Sequence, residues 1–208
     1  MGYSKADKAQ SHERIVNTAA ARFREKGIDG ISLADLMKEA GLTHGGFYRH
    51  FESREDLVAE AVEVALRASD GTLCSIVDAR GAIDLVRYVE LYLSVEHRDD
   101  PATGCALTAL TGDIARSGTR ARALYSAHVE RLVARLVPLL GAARSARERR
   151  LHALDMVSTM AGALSMARAV QDPALSEDVL EAARARLVRD IEQVGKPAAE
   201  ASSDNGNG

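Results

Sequence analysis

Between residues 10 and 26 the apolar positions Ile15, Val16, Ala19, Ala20 and Phe23 recur at steps of three and four. That is the period of an α-helix with one buried stripe. Gly27 is a natural stop for it. Ser32 then fits a helix N-cap, with Asp35 placed to answer it. Leu33, Leu36, Met37 and Ala40 keep the helical period for about two turns, up to Gly41. Leu42 plugs the turn and Thr43 caps a further short helix that runs to about His50. Phe51 and Glu52 break it. Ser53 opens a longer helix carrying Leu57, Val58, Ala61, Val62 and Ala65, reaching toward Ile76.

Beyond Gly71 and Gly81 the pattern stays helical. Helices are expected near 82–95, over 105–116, from Thr119 to about Leu140, from Ser145 to about Val170 and from Leu175 to Val194. HRDDPATG, residues 97–104, reads as a loop, and Pro138 must kink or end the helix that contains it. Residues 1–9 are polar and expected to fray. The segment 195–208, GKPAAEASSDNGNG, is disordered by composition. No alternating strand pattern and no internal repeat occurs. The chain reads as all-α, with about nine helices.

Composition agrees with helices: Ala, Leu and Arg are abundant, there are only four prolines among 208 residues, and Trp is absent. The net charge of −3 argues against a global affinity for nucleic acid or membrane. Residues 1–51 nevertheless carry eight Lys/Arg against six acids and three histidines, a mildly basic stretch on an acidic chain. No apolar run approaches the roughly 20 residues that span a bilayer. MGYSKADKAQ lacks the apolar core of a signal peptide, so the expected location is cytoplasmic. Cys74 and Cys105 have neither disulfide-framework nor metal-ligand spacing. No P-loop, dinucleotide fingerprint, HExxH or GxSxG is present. The six histidines form no pair at i, i+4, and no ExxH carboxylate–histidine motif occurs. The chain is therefore read as a non-enzyme without cofactor or metal.

The stretch LTHGGFYRHF, residues 42–51, is the informative one. A two-turn helix with two glycines at its start is poor in helix formers, so its residues serve contact. Two short helices joined at Gly41, braced by a preceding amphipathic helix, match a helix-turn-helix, whose second helix enters the major groove of DNA. Gly45 and Gly46 remove bulk where the helix must approach base edges. Thr43 and the helix-start N–H groups suit a phosphate oxygen. Tyr48 and His50 can donate to phosphates, and Arg49 can reach guanine or the backbone. Phe47 anchors the helix to its brace.

The segment from about Arg14 to Leu57 resembles the DNA-binding domain of the TetR family of bacterial transcriptional regulators. The resemblance is carried, without a gap, by Ile15, Ala20, Phe23, Gly27, Ser32, Ala40, Gly41, Gly45, Tyr48, Phe51, Ser53, Glu55 and Leu57. It implies a helix-turn-helix DNA-binding domain over 10–55, a helical ligand-binding and dimerisation domain over 56–194, and the tail 195–208. Position by position, it implies DNA contacts from Ser32, Thr43, His44, Gly45, Gly46, Tyr48, Arg49, His50 and Arg54. Arg54 stands where the family commonly has Lys, His44 replaces a common Lys, and Gly46 replaces a common Thr or Ser. A consensus operator is therefore not expected.

The resemblance further implies a homodimer through the last two helices, where Met160–Ala161–Gly162–Ala163 would allow close approach. It implies a palindromic operator whose two half-sites are read by the two recognition helices. It also implies a cavity in the middle helices for a small apolar or aromatic effector that releases DNA. Tyr88, Tyr92, Cys105, Leu110, Tyr125, His128, Met156 and Met160 are candidate lining residues. The expected function is a ligand-responsive repressor. Two alternatives stay open: a thiol-based sensor acting through Cys105 at a helix start, and a helical ligand-binding protein without DNA binding.

Overall fold

The structure, a computed structural model, describes residues 5–77, 81–141 and 145–195. Among these are nine α-helices: α1 (Lys5–Lys26), α2 (Leu33–Glu39), α3 (Arg54–Ser75), α4 (Leu85–Tyr92), α5 (Val95–Asp99), α6 (Ala106–Arg116), α7 (Thr119–Leu136), α8 (Ala146–Ala169) and α9 (Pro173–Gly195). Two 3-10 helices, His44–Arg49 and Val137–Leu139, complete the set. The described residues contain no strand, only an isolated antiparallel bridge between Val77 and Ile83. None of their helices is long and apolar enough to cross a membrane.

The helix starts obey local chemistry. The Ser32 hydroxyl accepts from the Asp35 N–H, and Ser53 does the same for Asp56. Ser145 and Glu148 form a reciprocal capping box at α8. Thr43 occupies the cap position of the His44–Arg49 turn without a side-chain bond. Gly41 closes α2 at φ +73°, a conformation that a side chain resists. Its N–H donates to the Lys38 carbonyl, and the Leu42 N–H donates to Met37. This paired bonding satisfies two of the four carbonyls left open at the end of the helix.

Several boundaries differ from expectation for physical reasons. Helix α1 starts at Lys5, well before the apolar stripe, because its first turns face solvent. The short helix after Gly41 is 3-10 rather than α, consistent with two glycines that give little α-helical preference. The 97–104 loop is preceded and partly replaced by α5. Helix α7 ends at Leu136, and Pro138 sits in the 3-10 turn that follows. The tail from 196 onward lies outside the described residues.

Two apolar cores result. The first gathers Ile15, Phe23, Leu36, Met37, Phe47, Phe51, Leu57 and Val62, with Ala106, Leu110 and Ile114 of α6. The second gathers Leu73, Val89, Leu93, Leu107, Leu136, Met156, Met160, Leu164, Leu180 and Leu187. Helix α6 therefore serves both cores, presenting Leu110 and Ile114 to one and Leu107 to the other. Helices α8 and α9 pair along their length.

Candidate nucleic-acid interface and a helical cavity

The turn His44–Arg49 is held from below by aromatic stacking. Phe47 is buried, and its ring stacks on Phe51 at 5.3 Å between centroids. Phe51 in turn stacks on His12 of α1 at 4.5 Å. The Nε2 atom of His12 lies 2.7 Å from a Glu60 carboxylate oxygen, tying α1 to α3. With the inner face fixed, Thr43, His44, Gly45, Tyr48 and Arg49 face solvent. Tyr48 is 70% exposed.

Thr43, Gly45, Gly46, Arg49 and His50 share one groove with Lys5, Lys8, Ser11, Gly41 and Leu42. Its volume is about 820 Å³, and its lining includes three Lys/Arg and no acid. A methyl group built on Gly45 would meet nothing within 4 Å. His50 is half-buried between α1 and the turn, 5.9 Å from the His12 ring. Burial, then the charges of His12, Lys8 and Arg49, push its pKa below the ordinary histidine value. It enters the groove as a neutral group at neutral pH.

Lys5 and Lys8 were not among the residues expected here. Their signal was present as charge, but a polar start of α1 gives no periodic sign of being helical. Two expected residues lie elsewhere. Ser32 sits on a separate surface with Lys26, Asp35 and Lys38. Arg54 is partly exposed and engaged at one nitrogen: its Nη2 donates to the carbonyls of Ile28 at 2.6 Å and Ile31 at 3.3 Å, and lies 3.7 Å from Asp29.

Four of the expected cavity residues come together. Tyr88, Tyr92, Cys105 and His128 line a cavity of about 340 Å³, along with His97, Leu91 and Leu132. Leu110, Met156 and Met160 are instead fully buried core. Tyr125 stands apart, its hydroxyl 2.7 Å from that of Thr111. His97, missed by the sequence reading, fixes the cavity wall. Its Nδ1 lies 2.7 Å from the Tyr92 carbonyl oxygen, and its Nε2 accepts the Cys105 N–H at 3.0 Å. The Nε2 contact requires a lone pair there, so the proton sits on Nδ1 and donates to Tyr92.

Burial lowers the His97 pKa, opposed by the bond to Tyr92. The Tyr92 hydroxyl is 2.5 Å from Thr108 Oγ1, and burial pushes its pKa well up. Cys105 is the N-cap of α6 and half-buried, with no side-chain capping bond. Cys74 lies outside the described side chains. Among the described residues no cluster of His, Cys, Asp and Glu could hold a metal ion.

Residues 15–61 match the family model described as bacterial regulatory proteins, tetR family. The HTH-type transcriptional regulator AcrR of Shigella flexneri is 31% identical over 62 residues, 30% of this chain and 29% of AcrR. The uncharacterized HTH-type regulator Rv0196 of Mycobacterium tuberculosis is 29% identical over 105 residues, 48% of this chain and 50% of that protein. The chain thus matches half or less of the length of these curated relatives. Among solved structures, a TetR-family regulator from Cytophaga hutchinsonii superposes with a TM-score of 0.73 at 23% identity, covering 95% of this chain and 100% of that one. A TetR regulator from Chloroflexus aurantiacus gives 0.74 at 22% identity, covering 90% and 97%. At such identity the likeness establishes the fold.

Proposed function

We propose that this chain, which carries the tetR-family domain at its N-terminus and the fold of TetR regulators along its length, is a sequence-specific DNA-binding repressor that acts as a homodimer in the cytoplasm. One observation carries the reading: the groove at Gly41–His50 is exposed, basic and free of acids in its lining. Lys5, Lys8 and Arg49 suit phosphates or guanine, and the unobstructed space at Gly45 allows a base edge close to the backbone. Residues 10–55 form the DNA-binding domain and 56–194 the ligand-binding and dimerisation domain. Two copies would present two such grooves to a palindromic operator.

Helices α8 and α9 are the proposed dimer surface. Leu151 and Met166 of α8 and Leu175 of α9 are large apolar side chains about half exposed, at 56%, 57% and 49%. Gly162 has open space where a side chain would stand, so a partner helix could approach there. The cavity at Tyr88, Tyr92, His97 and Leu132 is the proposed effector site: it combines aromatic and apolar walls with a few polar groups. A ligand that binds the DNA-incompetent state better would release the operator; coupling of ~1–3 kcal/mol is typical. Cys105 is one wall of that cavity.

The test is selection of the full chain on random duplex DNA, repeated at two salt concentrations. A palindrome with two half-sites, bound less tightly at high salt, is the expected result. Failure to enrich any sequence at low salt, with the native protein shown by mass spectrometry to be ligand-free, would overturn it. With the operator in hand, Cys105→Ser separates the two effector readings. Unchanged release by oxidants in that variant excludes the thiol sensor.

A further inference from the structure

A second cleft, of about 650 Å³, lies between α1, α6, α8 and the turn into α9. It is separate from the groove and from the aromatic cavity, and its chemistry is different. Three arginines line it: Arg24 from α1, Arg98 from α5 and Arg168 from α8. All three are only partly exposed.

Their bonding leaves positive charge unanswered. Arg24 donates from Nε to the Ala102 carbonyl at 2.7 Å. Arg168 donates from Nε to the Arg98 carbonyl at 3.0 Å and from Nη2 to the His97 carbonyl at 2.6 Å. Among the described residues neither arginine forms an ion pair, so their acceptors are carbonyl dipoles alone. Arg98 is different: its guanidinium meets the Asp99 carboxylate and the Ser176 hydroxyl. The two acids in the lining are already used. Asp99 pairs with Arg98, and Glu25 pairs with Arg22 at 2.5 Å. Asp100, nearby, is held by Thr103.

Desolvation by burial depresses the pKa of both Arg24 and Arg168, partly opposed by neighbouring groups that include Cys105 and Asp100. Both remain cations at neutral pH. Two partly desolvated cations with no carboxylate in direct contact are costly, and an anion placed between them offsets that cost. The planar guanidinium fork matches the oxygen spacing of carboxylate and phosphate.

We propose that this cleft binds a small oxyanion, a carboxylate or phosphate group, through Arg24 and Arg168. Bound there, the anion ties α1, which belongs to the first apolar core, to α8, which belongs to the second. The site does not depend on the DNA-binding reading, and its test makes no use of DNA.

The full chain, labelled with 15N, is titrated with sodium phosphate and separately with sodium acetate at constant ionic strength. The Nε–H resonances of Arg24 and Arg168 are followed. Saturable shifts at one site are expected, and saturation by phosphate alone or by acetate alone identifies which group is recognised. In Arg24→Gln and Arg168→Gln the apparent affinity should fall at least tenfold. Arg150→Gln, at an exposed pair with Glu130, should leave it unchanged. Arg24→Lys keeps the charge but not the fork; it covers the case in which a neutral residue fails to fold, and should weaken binding at least threefold. Shifts that drift linearly with both probes, or saturation that survives the Arg24 and Arg168 substitutions, would overturn the proposal.

Discussion

The groove and the aromatic cavity each contain a glycine whose side chain would matter, but for opposite reasons. At Gly45 an added methyl group meets nothing of the protein within 4 Å. At Gly104 the same group would lie 2.9 Å from the Asp100 carbonyl oxygen and from His97 Nε2. The fold itself demands a glycine at 104, because the chain closes tightly around the His97 ring. The fold makes no such demand at 45. A glycine with open space around it leaves room for something outside the protein, whereas a crowded one reports on internal packing.

The largest effect that would sharpen this contrast belongs to the platform under the groove. Phe47→Ala removes a ring packed on Phe51 and should cost about 3–5 kcal/mol, measured by urea unfolding. A loss under ~1 kcal/mol would mean that the turn is not anchored by that ring. Next comes Arg49→Ala. Its exposed side chain should cost the fold little, while operator affinity falls by ~1–3 kcal/mol, read by fluorescence anisotropy. Equal affinity would remove the groove as the DNA surface.

The glycines themselves come third. Gly104→Ala should destabilise by ~1–3 kcal/mol, since the added methyl must displace backbone or the His97 ring. Gly45→Ala should leave stability within about 0.5 kcal/mol of the parent and weaken operator binding instead. The opposite pattern would mean that position 104 has room for a side chain and that position 45 is held by internal packing.

The smallest effect is a pH dependence. The folded chain holds His97 neutral, so its pKa lies below that of the unfolded state. The unfolded chain takes up the proton first as pH falls. The contribution of His97 is therefore complete above roughly pH 6.5, and is lost as pH drops from there through the lowered folded value. His50 acts in the same direction. Thermal midpoints should decline from about pH 7.5 to 5.5, and less steeply in His97→Gln. An unchanged slope in that variant would show that the ring is not the titrating group.

The helix-turn-helix was legible because its signals are local. A cap, an apolar step of three or four, and a glycine at Gly41 can all be read within a few residues. What remained hidden depended on distance along the chain. The bonds of Arg54 to carbonyls 23 and 26 residues earlier leave no mark in its local sequence. Leu110, Met156 and Met160 share the helical period of true cavity walls, since one stripe packs a core and the next lines a space. His97 showed only as part of a polar loop, although its two ring nitrogens organise that loop. Lys5 and Lys8 extend a helix whose opening turns bury nothing.

The bonds from Arg54 to Ile28 and Ile31 fasten the first residue of α3 to the connector that precedes α2. Helix α3 has 22 residues, so it is a shaft of roughly 33 Å at ~1.5 Å per residue. Pivoting that shaft by about 5° sweeps its end through about 3 Å, close to the ~3.4 Å step along one DNA strand. Those two bonds couple the start of α3 to the connector before α2, so a tilt of α3 would be passed to that connector. On the proposed function, a small tilt of α3 would move the groove on the scale of a single base step.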